Sequence, residues 1–283
     1  MRLVKRNVIL IMVVLSALLN INSAYSQELT PDKPHMLSCP KLLVNDLPKT
    51  QKFYETILGM KVLLNFSMDV FSESIMSFDG QRTDVILFAP VHAVEAPLEK
   101  SALPMMALYT PEFDALVERL KKVKANYKIL ERDEKSSLIV EDPSGNWLEI
   151  IARSGQYELA GAKMIVDNLA VAKDFYRKLL GTKVKDDVER SDTVKEVTLT
   201  VGNGPHLSLY QSDLDKKLPN SQFPITFFQT IAFDAVVSIV EQSGFEHNLH
   251  RMDGAESGPS AILVVKDPSG NWIEIGSPLN NGF

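Results

Sequence analysis

The nonapeptide Asp142-Pro-Ser-Gly-Asn-Trp-Leu-Glu-Ile150 returns 125 residues later as Asp267-Pro-Ser-Gly-Asn-Trp-Ile-Glu-Ile275, with eight of nine positions identical. Each copy follows an apolar, β-branched run, Ser137 to Val140 and Ala261 to Val265. Pro fixes φ at a turn corner and Gly supplies φ > 0, so the pattern predicts a tight hairpin joining two antiparallel strands. Side chains alternate in the exit strand. Trp147 and Glu149 therefore share one face while Leu148 and Ile150 share the other, and Trp272 and Glu274 pair in the same way. A chain with one hairpin written twice at a long fixed period is constrained to a duplicated fold.

A second piece repeats with nearly the same period. Phe53-Tyr-Glu-Thr-Ile-Leu-Gly-Met-Lys-Val62 returns as Phe175-Tyr-Arg-Lys-Leu-Leu-Gly-Thr-Lys-Val184, an offset of 122. This predicts tandem domains over 36–153 and 158–279, joined by Arg153-Ser-Gly-Gln-Tyr157. Within the first repeat, Leu42 to Val44 read as a strand and Asp46-Leu-Pro48 opens a helix, Pro being suited to a first helical turn. Phe53, Ile57 and Leu58 form its apolar stripe, and Gly59 is expected to end it. Strands follow near 60–66, 72–78 and 83–89. The order then restarts with a strand at 105–109, a helix over 111–123, and strands near 127–131, 136–141 and 146–152. Repeat two follows suit, with helices near 170–180 and 234–243. The expected class is α+β, four βαβββ modules in two tandem domains. Two long Pro-containing loops, Pro90 to Leu103 and Ser212 to Pro224, occupy equivalent places between modules and read as lids or crossovers.

The N-terminus is a separate element. Arg2, Lys5 and Arg6 precede an apolar run of 12 residues from Val8 to Leu19, shorter than the roughly 20 that span a bilayer. Ala24-Tyr25-Ser26 then offers small residues for cleavage, so residues 1–26 read as a secretory signal peptide and the mature protein as exported, periplasmic or secreted, with no membrane association after cleavage. Losing those three positive charges takes the formal charge from −6 to −9. A mildly acidic chain without a basic cluster is a poor partner for nucleic acid or anionic membranes. Cys39 is the one cysteine, so no intramolecular disulfide forms and stability must come from core burial.

The helix-ending Phe-Tyr-x-x-x-Leu-Gly-x-Lys-Val and the turn Asp-Pro-Ser-Gly-Asn-Trp-x-Glu-Ile resemble the vicinal oxygen chelate superfamily, which includes glyoxalase I, bleomycin-resistance proteins and extradiol dioxygenases. The resemblance covers nearly all of 36–279. It implies glyoxalase-like domains whose paired modules form curved mixed sheets around a cup. It also implies four ligand positions in metal-using members. In the first repeat these fall on Cys39, Ile86, Met105 and Glu149, and in the second on Gly161, Ser208, Phe227 and Glu274. A divalent ion needs three or four N or O donors converging on a point. Only the two glutamates match, so no metal ligands and no cofactor are expected, and Gly161 and Phe227, standing where the histidines of an extradiol dioxygenase would be, argue against that activity.

The remaining candidates follow from strand alternation. His206 shares a face with Ser208 and Tyr210, and a cup holding these with Glu274 would contain a possible acid–base pair and hydroxyl donors. Trp147 and Trp272, on the glutamate faces, either stack on a ligand or pack the core. His247 and His250 are three apart on a strand and point to opposite faces. His35 is placed ahead of the fold and His92 in a loop. A carboxylate in an apolar cup, such as Glu149, is costly unless paired. The leading expectation is an exported protein that binds a small apolar or aromatic molecule without the family's metal, through Glu274, His206, Ser208, Tyr210, Phe227, Trp272, Cys39, Met105 and Glu149. The alternatives are a glyoxalase-like lyase or isomerase with Glu274 and His206 as catalytic groups, with or without a divalent metal in an unanticipated geometry, or a structural or interaction protein. The tandem arrangement suits a monomer, with a homodimer the other possibility.

Overall fold

The computed structural model describes residues 29–91, 103–132, 135–191, 194–212, 223–251 and 261–277. The expected export segment, His92 and most of both long inter-module loops lie outside the described residues. Strand, helix and three strands recur four times. The first module is β1 (His35–Leu43), α1 (Leu47–Thr56), β2 (Lys61–Ser67), β3 (Phe71–Ser77) and β4 (Val85–Pro90). The second is β5 (Met106–Thr110), α2 (Phe113–Lys122), β6 (Tyr127–Arg132), β7 (Lys135–Glu141) and β8 (Trp147–Ala152). The third is β9 (Glu158–Ile165), α3 (Leu169–Leu180), β10 (Lys183–Ser191), β11 (Val194–Thr200) and β12 (His206–Ser212). The fourth is β13 (Thr226–Thr230), α4 (Phe233–Ser243), β14 (His247–Arg251), β15 (Ala261–Lys266) and β16 (Trp272–Gly276).

The strands form two open, mixed, eight-stranded sheets, in the orders β14-β15-β16-β13-β1-β4-β3-β2 and β10-β11-β12-β9-β5-β8-β7-β6. Each module closes its own strand set with a parallel pairing of first and last strand, as in β1 with β4 and β5 with β8. Two compact units divide the chain. One is residues 39–163, and the other joins the described residues up to 38 with those from 164 onward.

Helix ends follow local chemistry. Asp46 Oδ1 accepts from Lys49 N–H at 3.0 Å, and Asn168 Oδ1 accepts from Val171 N–H at 3.1 Å, each side chain satisfying a first-turn donor that has no helical acceptor. Gly181 ends α3 in the left-handed region at φ 60°, the conformation that glycine adopts without a Cβ clash. α1 stops earlier than its glycine suggests, with Ile57 as its cap and Gly59 (φ 73°) two residues on.

The two repeated sequence motifs prove to be partners. In the 39–163 unit the Asp142 carboxylate accepts from the backbone N–H of Ser144 and Asn146, at 2.8 and 2.9 Å, which shapes the turn. Its other oxygen accepts from Asn146 Nδ2 at 2.9 Å and from the Tyr54 hydroxyl at 3.3 Å. Asn146 Nδ2 also donates to the Leu43 carbonyl at 3.1 Å, and Ser144 meets Thr50 at 2.6 Å. The hairpin of the second module is thus bonded to the strand and helix of the first. The 164–277 region repeats the latch with Asp267, Asn271, Tyr176 and the Ile165 carbonyl. Burial pushes both tyrosine hydroxyls well above their ordinary pKa, and the adjacent carboxylates add to the shift. The fully buried helix tyrosines Tyr54 and Tyr176 are therefore also polar anchors.

One element departs from expectation. His35 is not ahead of the fold but opens β1, half-buried, with Nδ1 2.7 Å from Thr230 Oγ1. The strand starts early because the β11–β12 turn packs on it. A Cβ on Gly202 or Gly204 would stand 2.1 Å from the His35 carbonyl or 2.8 Å from that of Leu37, so only glycine admits the approach.

Candidate functional site

In the 39–163 unit, one face of the β9-β5-β8-β7 strands carries a buried ion pair. Glu149 stands opposite Ala107 on β5 and Ile139 on β7, and Ala107 stands opposite Gly161 on β9. Lys163, two residues beyond Gly161, is on the same face, and its N–H donates to the Met105 carbonyl at 2.9 Å. Its side chain must cross a strand to reach Glu149. Ala107 and Gly161 are the two residues in between, and neither has bulk to block it. The Lys163 Nζ donates to Glu149 Oε2 at 2.5 Å, with the side chains only 4% and 7% exposed.

Burial at that level decides the energetics. Desolvating each ion costs several kcal/mol, and the mutual attraction offsets this only in close contact. The short contact answers the cost that an isolated carboxylate on an apolar face would carry. Around the pair, Met105, Ile139, Trp147 and Ile151 share the face and are each partly exposed, whereas Glu149 and Lys163 are buried. The arrangement is an ion-paired floor with partly exposed apolar walls.

The same residue types recur elsewhere. Lys41 Nζ lies 3.2 Å from Glu73 Oε1, at 2% and 1% exposure, and 5.7 Å from the centre of the Phe88 ring. Lys41 and Lys163 are equivalent positions of β1 and β9. Glu73 faces Phe88 across β3–β4 as Glu196 faces Tyr210 across β11–β12. Each repeat therefore holds Lys, Glu, Glu at matched positions, Lys41, Glu73, Glu149 and then Lys163, Glu196, Glu274, all at most 5% exposed. Sequence reasoning missed the lysines and the first glutamate of each set. The signal was available as a charged residue inside an apolar strand, repeated at an offset of 122 or 123.

The residues expected around Glu274 are divided between the sheets. His206, Ser208 and Tyr210 lie along β12, while Glu274, Phe227 and Trp272 belong to the sheet containing β13 and β16. Alternation along one strand establishes a shared face, but it carries no information on which strands share a sheet. His206 Nε2 is 2.9 Å from Lys185 Nζ at the surface, and Ser208 meets Thr198 at 3.2 Å. Phe227 and Glu274 are direct neighbours across β13–β16. Trp272 is core, clustered with Ile262 and Val264 and covered by Lys266, whose Nζ is 4.9 Å from the ring centre. His250 shares this face through its partner Ile262, and burial lowers its pKa, which favours neutral imidazole. His247 points the other way, with Nδ1 2.8 Å from the Phe245 carbonyl. Cys39 is fully buried in β1 on the sheet that also holds Ile86, whereas Met105 and Glu149 belong to the other sheet.

These side chains do not fit a divalent ion. Among the described residues no three His, Cys, Asp or Glu converge. At Glu149, an ammonium already sits within bonding distance and would repel a second cation. A cavity of about 270 Å3 lies elsewhere, beside the start of α4, and none of the expected site residues lines it. Its two charged groups, Asp234 and Arg251, are bonded to one another at 2.7 Å.

A family model described as the glyoxalase/bleomycin resistance protein/dioxygenase superfamily matches the chain twice, over residues 34–150 and 158–275. The chain belongs to that superfamily. Glyoxalase I from Zea mays is similar in structure, with a TM-score of 0.67 at 17% identity over 86% of this chain and 92% of that one. A putative dioxygenase from Bacillus subtilis subsp. subtilis str. 168 gives 0.63 at 13% identity over 87% and 86%. At such identities the likeness shows the shared fold. No curated protein is matched in sequence.

Proposed function

We propose that this protein binds a small apolar or aromatic molecule on the open sheet face around Glu149, without the divalent ion that metal-using members of its superfamily employ. The observation that carries the reading is the Lys163–Glu149 contact of 2.5 Å beneath partly exposed apolar walls. A buried ammonium supplies there the positive charge that a carboxylate floor requires. Export through residues 1–26 belongs to the same reading, with the mature protein acting as a monomer outside the cytoplasm.

Elemental analysis and titration of the mature protein test it together. The expected result is no stoichiometric Zn, Ni, Fe or Mn and no stabilisation by these ions, alongside saturable binding of small aromatic compounds. Stoichiometric metal lost in Glu149→Gln would overturn the reading in favour of a metal-dependent lyase or isomerase. N-terminal sequencing of the exported chain, expected to begin at Gln27, checks the cleavage.

A further inference from the structure

We infer that Ser137 is the specificity residue of the face around Glu149, and that it selects an uncharged aromatic ligand bearing a hydroxyl group. The inference rests on the small-molecule reading above and adds the chemical class of the ligand. Ser137 lies on β7, two residues before Ile139 and directly opposite Ile151 on β8, so it shares the face of those partly exposed side chains. It is only 5% exposed, yet none of the described residues hydrogen-bonds its Oγ, and that oxygen is not sealed inside the sheet. A buried hydroxyl without a partner is costly, and nearly all such groups in folded proteins find one. A ligand lying on Ile139 and Ile151 brings that partner.

The fold itself does not require this hydroxyl. The second repeat carries Ile262 at the matching position, 125 residues on, fully buried in a cluster with Val264 and Trp272. One copy uses the position for packing. The other presents an oxygen on a face where the equivalent Trp147 is partly exposed. Tyr109, opposite Ile151 on the far side, adds a second aromatic ring to the row, with Arg153 3.6 Å from its centre.

None of the charged groups is asked to meet the ligand. Lys163 and Glu149 are bonded to one another and both have further interactions, as does Glu196, buried in the same sheet. Glu141 accepts from Asn126 Nδ2 at 2.7 Å, and Arg153 is bonded to Glu158. Lys128 is exposed on the edge strand β6. Recognition therefore falls to a neutral group. A serine hydroxyl both donates and accepts, which matches a ligand hydroxyl in either direction. A carboxylate or ammonium placed there would give up its hydration for one neutral hydrogen bond, which is strongly unfavourable. The indole of Trp147 and the side chains of Met105, Ile139 and Ile151 supply the flat apolar contact that an aryl body fills.

Isothermal titration of the mature protein at pH 7 with phenol, toluene and benzoate tests this, since phenol and toluene differ only in a hydroxyl against a methyl group. Phenol is expected to bind at least about 10-fold more tightly than either of the others. Ser137→Ala should abolish the preference for phenol while leaving toluene binding in place, and Ser137→Thr, which keeps a hydroxyl, should retain part of it. Equal affinity for phenol and toluene, tighter binding of benzoate, or an unchanged preference in Ser137→Ala overturns the assignment while leaving the small-molecule reading intact. Failure of all three probes to bind overturns that reading and this one with it. Should Ser137→Ala not fold, the probe ratio in the natural protein still decides.

Discussion

Replacing Lys163 by Met removes the ammonium from a carboxylate that is 7% exposed, while keeping the bulk of the aliphatic stem. At 2.5 Å and an effective dielectric of about 20, the gross attraction is roughly 7 kcal/mol, of the same order as the desolvation of the two ions. Their net contribution is therefore small, but leaving one of them behind is expensive. Lys163→Met is expected to cost about 3–5 kcal/mol, a fall in melting temperature on the order of 10–20 °C. Glu149→Leu alone should also destabilise, because the buried ammonium loses its 2.5 Å contact. The double variant Glu149→Leu/Lys163→Met should recover most of the loss, since two apolar side chains of similar volume replace a pair whose terms nearly cancel. Urea titration followed by circular dichroism measures all four proteins, with unchanged m-values confirming a shared unfolding transition. If Lys163→Met loses less than about 1 kcal/mol, or the double variant loses the sum of the singles, the floor is hydrated and the two charges are not coupled.

Other consequences follow from the latch and the titrating groups. Burial raises the pKa of Asp84 to about 6, against hydrogen bonding from the Phe78 N–H and the nearby Arg82, which lower it. A raised folded-state value means that the folded chain holds this proton more tightly than the unfolded chain. The contribution is complete below the ordinary carboxylate value of 3.8 and is lost as pH rises through about 6, a swing of roughly 3 kcal/mol. Asp84→Asn should lack that swing, so the stability difference between it and the natural protein, followed by urea unfolding from pH 4 to pH 8, should change in favour of the variant as pH rises. Asn146→Ala removes donors to both Leu43 and Asp142 and should cost about 2–3 kcal/mol, against about 1 for Tyr54→Phe, read as thermal midpoints. Gly145→Ala forces a Cβ onto a residue at φ 85° and is expected to cost about 1–2 kcal/mol in the same assay.

Much of this architecture is legible in the sequence, and the reason is locality. The hairpins at 142–146 and 267–271, the caps at Asp46 and Asn168, and the strand-helix-strand order are set by neighbours in the chain. What is not legible depends on pairing between distant strands. Nothing in the period of β12 tells that His206 and Glu274 lie on different sheets. Nothing in β9 tells that Lys163 runs antiparallel beside Met105 and so comes within reach of Glu149. The early start of β1 at His35 has the same origin, because the turn that packs on it lies some 165 residues away, at Gly202 and Gly204.

Duplication also explains why one carboxylate of two is the better candidate. Glu149 and Glu274 leave matching hairpins and occupy matching registers, yet their strand neighbours differ. Beside Glu149 stands Ala107, and beside Glu274 stands Phe227. Beside Glu149 a methyl group leaves room for the Lys163 stem, whose Nζ meets the carboxylate at 2.5 Å. The walls diverge as well, with Trp147 partly exposed where Trp272 is 6% exposed inside an apolar cluster. Ala107→Phe should therefore displace Lys163 from Glu149 and remove binding of small aromatic compounds, while the mirror change Phe227→Ala should leave that binding unaltered. Loss of binding in Phe227→Ala but not in Ala107→Phe would move the site to Glu274.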